Sequence, residues 1–294
     1  LSDILLISLP FFENSGLLYL EASLKKAGYS CHIIDIIKDD DFSHENTLKE
    51  ILASPPSIII GFSVMCGSIM DAIKMIKDVK KRGLSIHIIM GGLWPGFKYR
   101  EILTQIKEVD SVCVGEGEEV IVELSDAISK GKELENIPGL ATRRKDGSVI
   151  FTPRKFRENI DDLPVPERTC YYFDIIKHQG YINIMFSRGC HRNCTFCSIS
   201  SHIKFCGGKT WRPRSPIAVV NEIEYLINTT DIRNFNFLDT NFLGPDKKKQ
   251  ERYYILAEEI RRRKLDIKFN ISSRIDGVTY DLFKELKSAG LSEV

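Results

Sequence analysis

The feature that most constrains this chain is a rhythm. Through residues 1–130, short β-branched runs alternate with segments of helical period. "DILLISL" (3–9), "SCHIIDII", "SIIIGFS", "SIHIIMGG" and "VDSVCVGEG" read as five strands. Between and after them come "LLYLEASLKKAGY" ending at Gly28, a helix near 44–53, and "SIMDAIKMIKDVKKRG" closed by Gly83. A helix near 98–107 and "EEVIVELSDAISKG" ending at Gly131 complete the series. Strands that are apolar nearly throughout must be covered on both faces, as in a parallel sheet flanked by helices. Right-handed crossovers make such a series a doubly wound α/β domain.

Ligands of such sheets sit beyond the carboxyl ends of the strands. Those ends are Ser8-Leu9-Pro10, Ser63-Val64, Gly91-Gly92-Leu93 and Gly115-Glu116-Gly117-Glu118. Glycine lets a backbone approach a large ligand closely, and it also serves tight strand-to-helix turns. Nucleotide fingerprints fail: "GEGEEV" has Val120 where a third glycine belongs, and "CGGKT" would need a glycine where Ile203 stands.

The rhythm breaks over 137–180. "IPGLATRRKDGSVIFTP" reads as two short strands joined at Asp146-Gly147, and "IDDLPVPERTCYYFD" as an extended, proline-rich connector laid over a domain surface. From 181 onward strand–helix repetition resumes with "YINIMFS", "RNFNFLD" and "DIKFNIS". Their ends are polar: Ser187-Arg188, Asp239-Thr240-Asn241 and Ser272-Ser273-Arg274. In (β/α) barrels the chemistry sits on that face.

Composition bounds the function class. A net charge of +1 over 294 residues gives no electrostatic reason to expect nucleic acid or an anionic membrane as partner. The basic runs Lys247-Lys248-Lys249 and Arg261-Arg262-Arg263-Lys264 fall in one helical stretch and read as a solvated face. No apolar run reaches the roughly 18 residues of a membrane span, and no signal segment opens the chain. Eight unevenly spaced cysteines in a chain of this size point to a reduced, cytoplasmic setting and a metal site rather than a disulfide scaffold.

Three of those cysteines crowd into "FSRGCHRNCTFCSIS", as Cys190-x3-Cys194-x2-Cys197. Structural zinc takes four protein ligands, and a nucleophile needs one thiolate. An iron–sulfur cube on three thiolates, with one iron left open, fits the count; a zinc or redox protein carrying the spacing by chance is the competing reading. Cys31, Cys66 and Cys113 lie in or beside strands and read as small core residues, and Cys206 as a loop thiol. His191, His202 and Trp211 flank the cysteine loop and read as packing or shielding.

"GCHRNCTFC" resembles the signature loop of radical S-adenosylmethionine (radical-SAM) enzymes, CxxxCxΦC, with Phe196 at the aromatic position. "GKTWRPRSPIAVVNEIEYL", "FNFLDTNFLGP" and "ISSRIDGVTYDLFKELKSAGL" resemble segments of the subgroup with an N-terminal cobalamin-binding domain. "GG" before "WPG", "VDSVCVGEGEE" and "IPGLATR" resemble that subgroup's Rossmann-like domain.

The resemblance implies a 4Fe-4S cluster on Cys190, Cys194 and Cys197, with S-adenosylmethionine chelating the fourth iron. Cleavage of that cofactor would yield methionine and a 5′-deoxyadenosyl radical. Phe196, Asp239, Thr240, Asn241, Ser273 and Arg274 are the implied S-adenosylmethionine contacts. Ser8, Ser63, Gly91, Gly92, Gly115, Glu116 and Gly117 are candidates for holding cobalamin. The chain lacks Asp-x-His-x-x-Gly, which supplies a lower axial histidine in other cobalamin enzymes and which the radical-SAM subgroup often dispenses with. No residue is assigned as catalytic acid or base.

The expected architecture is α/β: a Rossmann-like doubly wound domain over 1–136, a hairpin and linker over 137–180, and the N-terminal part of a radical-SAM (β/α) barrel over 181–294. Because "SAGLSEV" stands where another strand should begin, the native protein is expected to be longer. The expected activity is cobalamin-dependent methyl transfer to an unactivated carbon of a small-molecule, lipid or peptide natural-product substrate. An external low-potential donor such as flavodoxin or ferredoxin would supply electrons. The alternatives are a cobalamin-independent rearrangement, desaturation or cyclisation, and a non-catalytic iron–sulfur redox or sensor protein with Cys206 as fourth ligand.

Overall fold

The computed structural model describes residues 2–9, 14–35, 44–168, 176, 179–245 and 250–294. Two compact units result: Leu1–Phe156 with Phe205–Gly207, and Arg157–Lys204 with Gly208–Val294.

In the first unit the expected alternation forms: β1 (Ile4–Ser8), α1 (Ser15–Lys26), β2 (Cys31–Asp35), α2 (His44–Ala53), β3 (Ile59–Ser63), α3 (Ile69–Lys81) and β4 (His87–Gly91). Then come α4 (Leu93–Phe97), α5 (Tyr99–Gln105), β5 (Ser111–Cys113) and α6 (Glu118–Ser129). The helix expected near 98–107 forms as α5, and a further short helix, α4, precedes it and meets it at Lys98. All five residues of β1 are buried, as a strand covered on both faces requires. Helix α3 buries Ala72, Met75, Ile76 and Val79, the inward stripe of a 3.6-residue period.

The expected hairpin also forms, as β6 (Leu140–Arg143) and β7 (Val149–Phe151). Gly147 turns it with φ 84° while Asp146 Oδ1 accepts the Ser148 amide at 2.8 Å. Strand β6 pairs antiparallel with β5, so the hairpin extends the sheet, whose order is β2-β1-β3-β4-β5-β6-β7. The strand direction of winding reverses between β1 and β3, which is where sheets of order 2-1-3-4-5 bind their ligands.

The second unit holds β8 (Ile182–Ile184), β9 (Ser187–Gly189), α7 (Ser198–Cys206), β10 (Trp211–Pro213), α8 (Pro216–Thr230) and β11 (Asn234–Phe237). It continues with α9 (Glu251–Arg262), β12 (Lys268–Asn270), α10 (Tyr280–Ser288) and β13 (Leu291–Glu293). The last residues of α7, Phe205 and Cys206, group with the first unit. Strands β8, β11, β12 and β13 pair in parallel in chain order, the arrangement of successive barrel strands. The expected strand "YINIMFS" is divided: β9 leaves β8 and pairs antiparallel with β10. An aromatic core of Phe186, Phe237, Phe242, Tyr253 and Phe269 packs behind the sheet, with Phe242 and Tyr253 ring centroids 5.1 Å apart.

The connector binds the second unit through defined bonds. Asp161 Oδ2 accepts the Ser215 amide at 2.7 Å, and Arg168 donates to the Asn183 carbonyl at 2.7 Å. Among the described residues no helix is long and apolar enough to cross a membrane. The Lys247-Lys248-Lys249 run and Pro10 lie outside the described residues.

Candidate functional site

In the first unit, parallel register sets three of the candidate residues in a row. Ser8 pairs with Ser63, and Ser63 with Gly91, along the carboxyl edge of β1, β3 and β4. Asn14, which caps α1, joins the two hydroxyls: its Nδ2 donates to Ser63 Oγ at 2.9 Å and to Ser8 Oγ at 3.4 Å. Its Oδ1 accepts the Leu17 amide at 3.3 Å, the usual work of an N-cap. Sequence reasoning passed over Asn14, although an asparagine directly before a helical period is a recognisable cap. Beside it the Ser15 hydroxyl is buried and has no partner among the described residues.

The glycines beyond β4 and β5 have structural reasons of their own. Gly92 sits at φ 115°, and a Cβ there would stand 2.5 Å from the Val64 carbonyl oxygen, while Val64 donates its amide to Gly91 at 2.9 Å. The two loops therefore close on each other through bare backbone. Gly115 also has positive φ, and a Cβ on Gly117 would press on Leu20. Glu116 is half-buried between them, and Glu118 and Glu119 open α6, where carboxylates favour the helix dipole. Cys113 is buried, as expected; Cys66 is exposed instead, because it lies in the short 3-10 turn Cys66–Ser68 rather than in strand β3.

In the second unit the three cysteines follow β9 on one loop, each a free, half-buried thiol. Gly189 launches that loop with φ 81°, and a Cβ there would run into the Thr210 carbonyl oxygen. The loop is held from within. The Arg192 amide donates to Cys190 Sγ at 3.5 Å, and the Cys197 amide to the Cys194 carbonyl at 3.2 Å. Ser200 Oγ donates to the carbonyls of Cys194 at 3.1 Å and Cys197 at 3.0 Å. Phe196 projects from the loop with 91% of its surface exposed. Among the described residues no three His, Cys, Asp or Glu side chains converge on a position for one metal ion. The fit to a multi-iron cluster rests on the donor chemistry, three thiols and no competing carboxylate within one short loop.

The polar strand ends divide into buttresses and open groups. Asp239 is buried and turned toward the strand that carries the loop: its Oδ2 accepts the Phe186 amide at 2.9 Å and its Oδ1 accepts the Ser187 hydroxyl. Burial pushes its carboxyl up to about 6, against the pull of those two donors and of Arg252. Asn241 is buried as well, donating to the Leu243 carbonyl at 2.7 Å and accepting the Arg274 amide at 3.1 Å. It ties the loop after β11 to the loop after β12. Thr240 and Arg274 are exposed. Ser273 is half-buried, and its hydroxyl is enclosed without a partner among the described residues, an unspent donor suited to a polar ligand.

Three further contributors were not singled out from sequence. Arg252 stacks over the rings of Phe186 at 4.4 Å and Trp211 at 5.3 Å, behind the cysteine loop. Asp276 binds both Arg192 and Arg274. Glu222, fully enclosed, pairs with Arg214 at 2.6 Å and Arg168 at 3.6 Å. Each is a long-range pairing that local pattern does not reveal. Cys206, the proposed alternative fourth ligand, is buried, and burial pushes its thiol up to about 11.

Comparison with known proteins agrees with this division. The B12 binding domain model matches residues 5–125, and the radical SAM superfamily model matches residues 184–294. An uncharacterized methyltransferase of Pyrococcus horikoshii is 31% identical over 281 residues, covering 95% of this chain and 59% of that protein. An anaerobic magnesium-protoporphyrin IX monomethyl ester cyclase of Rubrivivax gelatinosus is 29% identical over 290 residues, covering 94% of this chain and 50% of that protein. The chain thus spans only about half the length of these relatives. Among solved structures, the cobalamin-dependent S-adenosylmethionine radical enzyme OxsB matches 99% of this chain and 43% of its own, with TM-score 0.83 and 21% identity. The radical S-adenosylmethionine methyltransferase TsrM from Kitasatospora setae matches 99% of this chain and 58% of its own, with TM-score 0.81 and 19% identity. At such identities the likeness is one of fold. The first unit is thus matched by the B12 binding domain model and the second by the radical SAM superfamily model, so that one chain carries a B12-binding domain followed by a radical SAM domain.

Proposed function

We propose that this chain is the cofactor-bearing part of a cobalamin-dependent radical-SAM enzyme that transfers a methyl group to an unactivated carbon. The observation that carries the reading is the loop after β9, three free thiols within eight residues just beyond the short antiparallel strand that continues parallel β8. Cys190, Cys194 and Cys197 would hold a 4Fe-4S cluster. With cofactors bound, the cluster supplies the electron that cleaves S-adenosylmethionine, and cobalamin carries the methyl group.

The chain's own residues orient and enclose. Asp239 fixes the strand entering the loop, and Ser200 fixes the loop's carbonyls. The Ser273 hydroxyl offers a hydrogen bond to S-adenosylmethionine, and Thr240, Arg274 and Phe196 present a polar, a cationic and an aromatic group on the same rim. Ser8, Ser63 and Gly91 line the switch point where cobalamin would lie, with Asn14 holding the hydroxyls.

Ring closure on a larger substrate is the second reading, supported by the relatives named as anaerobic cyclases. The substrate would be a small molecule, lipid or peptide, and the reductant a low-potential flavodoxin or ferredoxin in a reduced cytoplasm. The deciding experiment is anaerobic reconstitution with iron, sulfide and hydroxocobalamin, followed by incubation with methyl-deuterated S-adenosylmethionine and dithionite. Formation of 5′-deoxyadenosine together with a methylated cobalamin supports methyl transfer. 5′-Deoxyadenosine without cobalamin methylation favours ring closure, and no 5′-deoxyadenosine overturns the radical reading.

A further inference from the structure

Asp276 lies at the centre of a charge arrangement that joins two loops. Its Oδ2 stands 2.6 Å from Arg192 Nη2, and its Oδ1 stands 3.2 Å from Arg274 Nε, with Arg274 Nη2 3.4 Å from Oδ2. Arg192 lies between Cys190 and Cys194, and its own amide donates to Cys190 Sγ. The residue whose backbone touches a candidate cluster ligand is therefore held by its side chain to the loop after β12. Arg274 brings a second cation to the same carboxylate that holds Arg192.

We infer that Asp276 is a positioning residue that holds Arg192 and Arg274 beside the cysteine loop and offsets one of their two charges, so that it sets the reduction potential of the cluster. This rests on the proposed cluster at Cys190, Cys194 and Cys197. A four-iron cube on three thiolates is anionic, and reduction adds a further negative charge. Nearby cations therefore favour the reduced form and nearby anions oppose it. The three side chains are 41–51% exposed, so solvent screens each pair. A lone exposed pair would be expected to do little; here one carboxylate restrains two guanidiniums, and one of these belongs to the cysteine loop itself.

The test reconstitutes wild type, Asp276→Asn, Arg192→Gln and the double variant anaerobically with iron and sulfide. Iron is assayed, and the potential is titrated by electron paramagnetic resonance without S-adenosylmethionine. Asp276→Asn is expected to shift the potential positive, Arg192→Gln to shift it negative, and the double variant to return toward wild type. A merely structural role would lower iron content in both single variants without opposed shifts. A wild-type potential in Asp276→Asn overturns the inference. If Asp276→Asn fails to hold iron, Arg192→Gln decides, a negative shift supporting the inference and no shift overturning it. If wild type itself forms no cluster, the underlying functional reading fails instead.

Discussion

Asp239 accepts the backbone amide of Phe186 at 2.9 Å, so a carboxylate from the end of β11 pins the strand that leads into the cysteine loop. Removing it in Asp239→Ala leaves that amide and the Ser187 hydroxyl buried and unpaired, a cost of about 2 kcal/mol by chemical denaturation. Because burial raises this carboxyl to about 6, its protonated form stabilises the fold below the ordinary value of 3.8, and that contribution is lost as pH rises through 6. Wild type should lose stability relative to Asp239→Asn over that window. Identical pH dependence in the two proteins would count against the shifted carboxyl.

Glu222 shows a different buried charge at work. Its two partners, Arg214 and Arg168, donate in turn to the carbonyls of Met185 and Asn183, so the network clamps β8 and its extension. Glu222→Ala takes its carboxylate from two enclosed guanidiniums, of which Arg214 keeps Asp161 at 3.7 Å, and is expected to cost about 3–5 kcal/mol. Thermal unfolding followed by near-ultraviolet circular dichroism would register it, and a change under 1 kcal/mol would mean the pair behaves like a surface one.

Gly189 is required by its backbone. At φ 81°, with the Thr210 carbonyl where a Cβ would go, Gly189→Ala should destabilise the β9–β10 pair by more than about 1–2 kcal/mol. Iron retained after reconstitution should fall with it. Full iron content would show that the ladder tolerates the side chain.

Serine at Cys190, Cys194 or Cys197 should abolish reconstituted iron while leaving cobalamin retention on gel filtration intact, since the two cofactors are assigned to different units. Cys206→Ala should leave iron unchanged. Loss of iron there would restore Cys206 as a ligand.

His87 tests the far end of the first sheet. Burial lowers its imidazole to about 4, with Ser111 Oγ 2.8 Å from Nε2. The unfolded chain takes up this proton near pH 6.5 and the folded one only near 4, so stability falls as pH drops across that interval, by up to about 3 kcal/mol. His87→Gln should flatten that part of the denaturation profile, and an unchanged slope would reject the assignment.

The class of both units, the strand ends that carry polar residues and the three thiols were legible in the sequence alone. Periodicity records which faces must be buried, and ligand spacing records a local covalent constraint. Ser8, Ser63 and Gly91 could be named singly, but their common row depends on parallel register between strands distant in the chain. Asp239 reads in sequence as a polar strand end and, by resemblance, as an S-adenosylmethionine contact. Only packing turned it inward to Phe186, because a buried amide must find an acceptor. The pairing of Asp276 with Arg192 spans 84 residues, and no local pattern encodes which of many charges will meet. Local chemistry is thus written in the chain, whereas partnership across the fold is decided by how the sheets bring distant loops together.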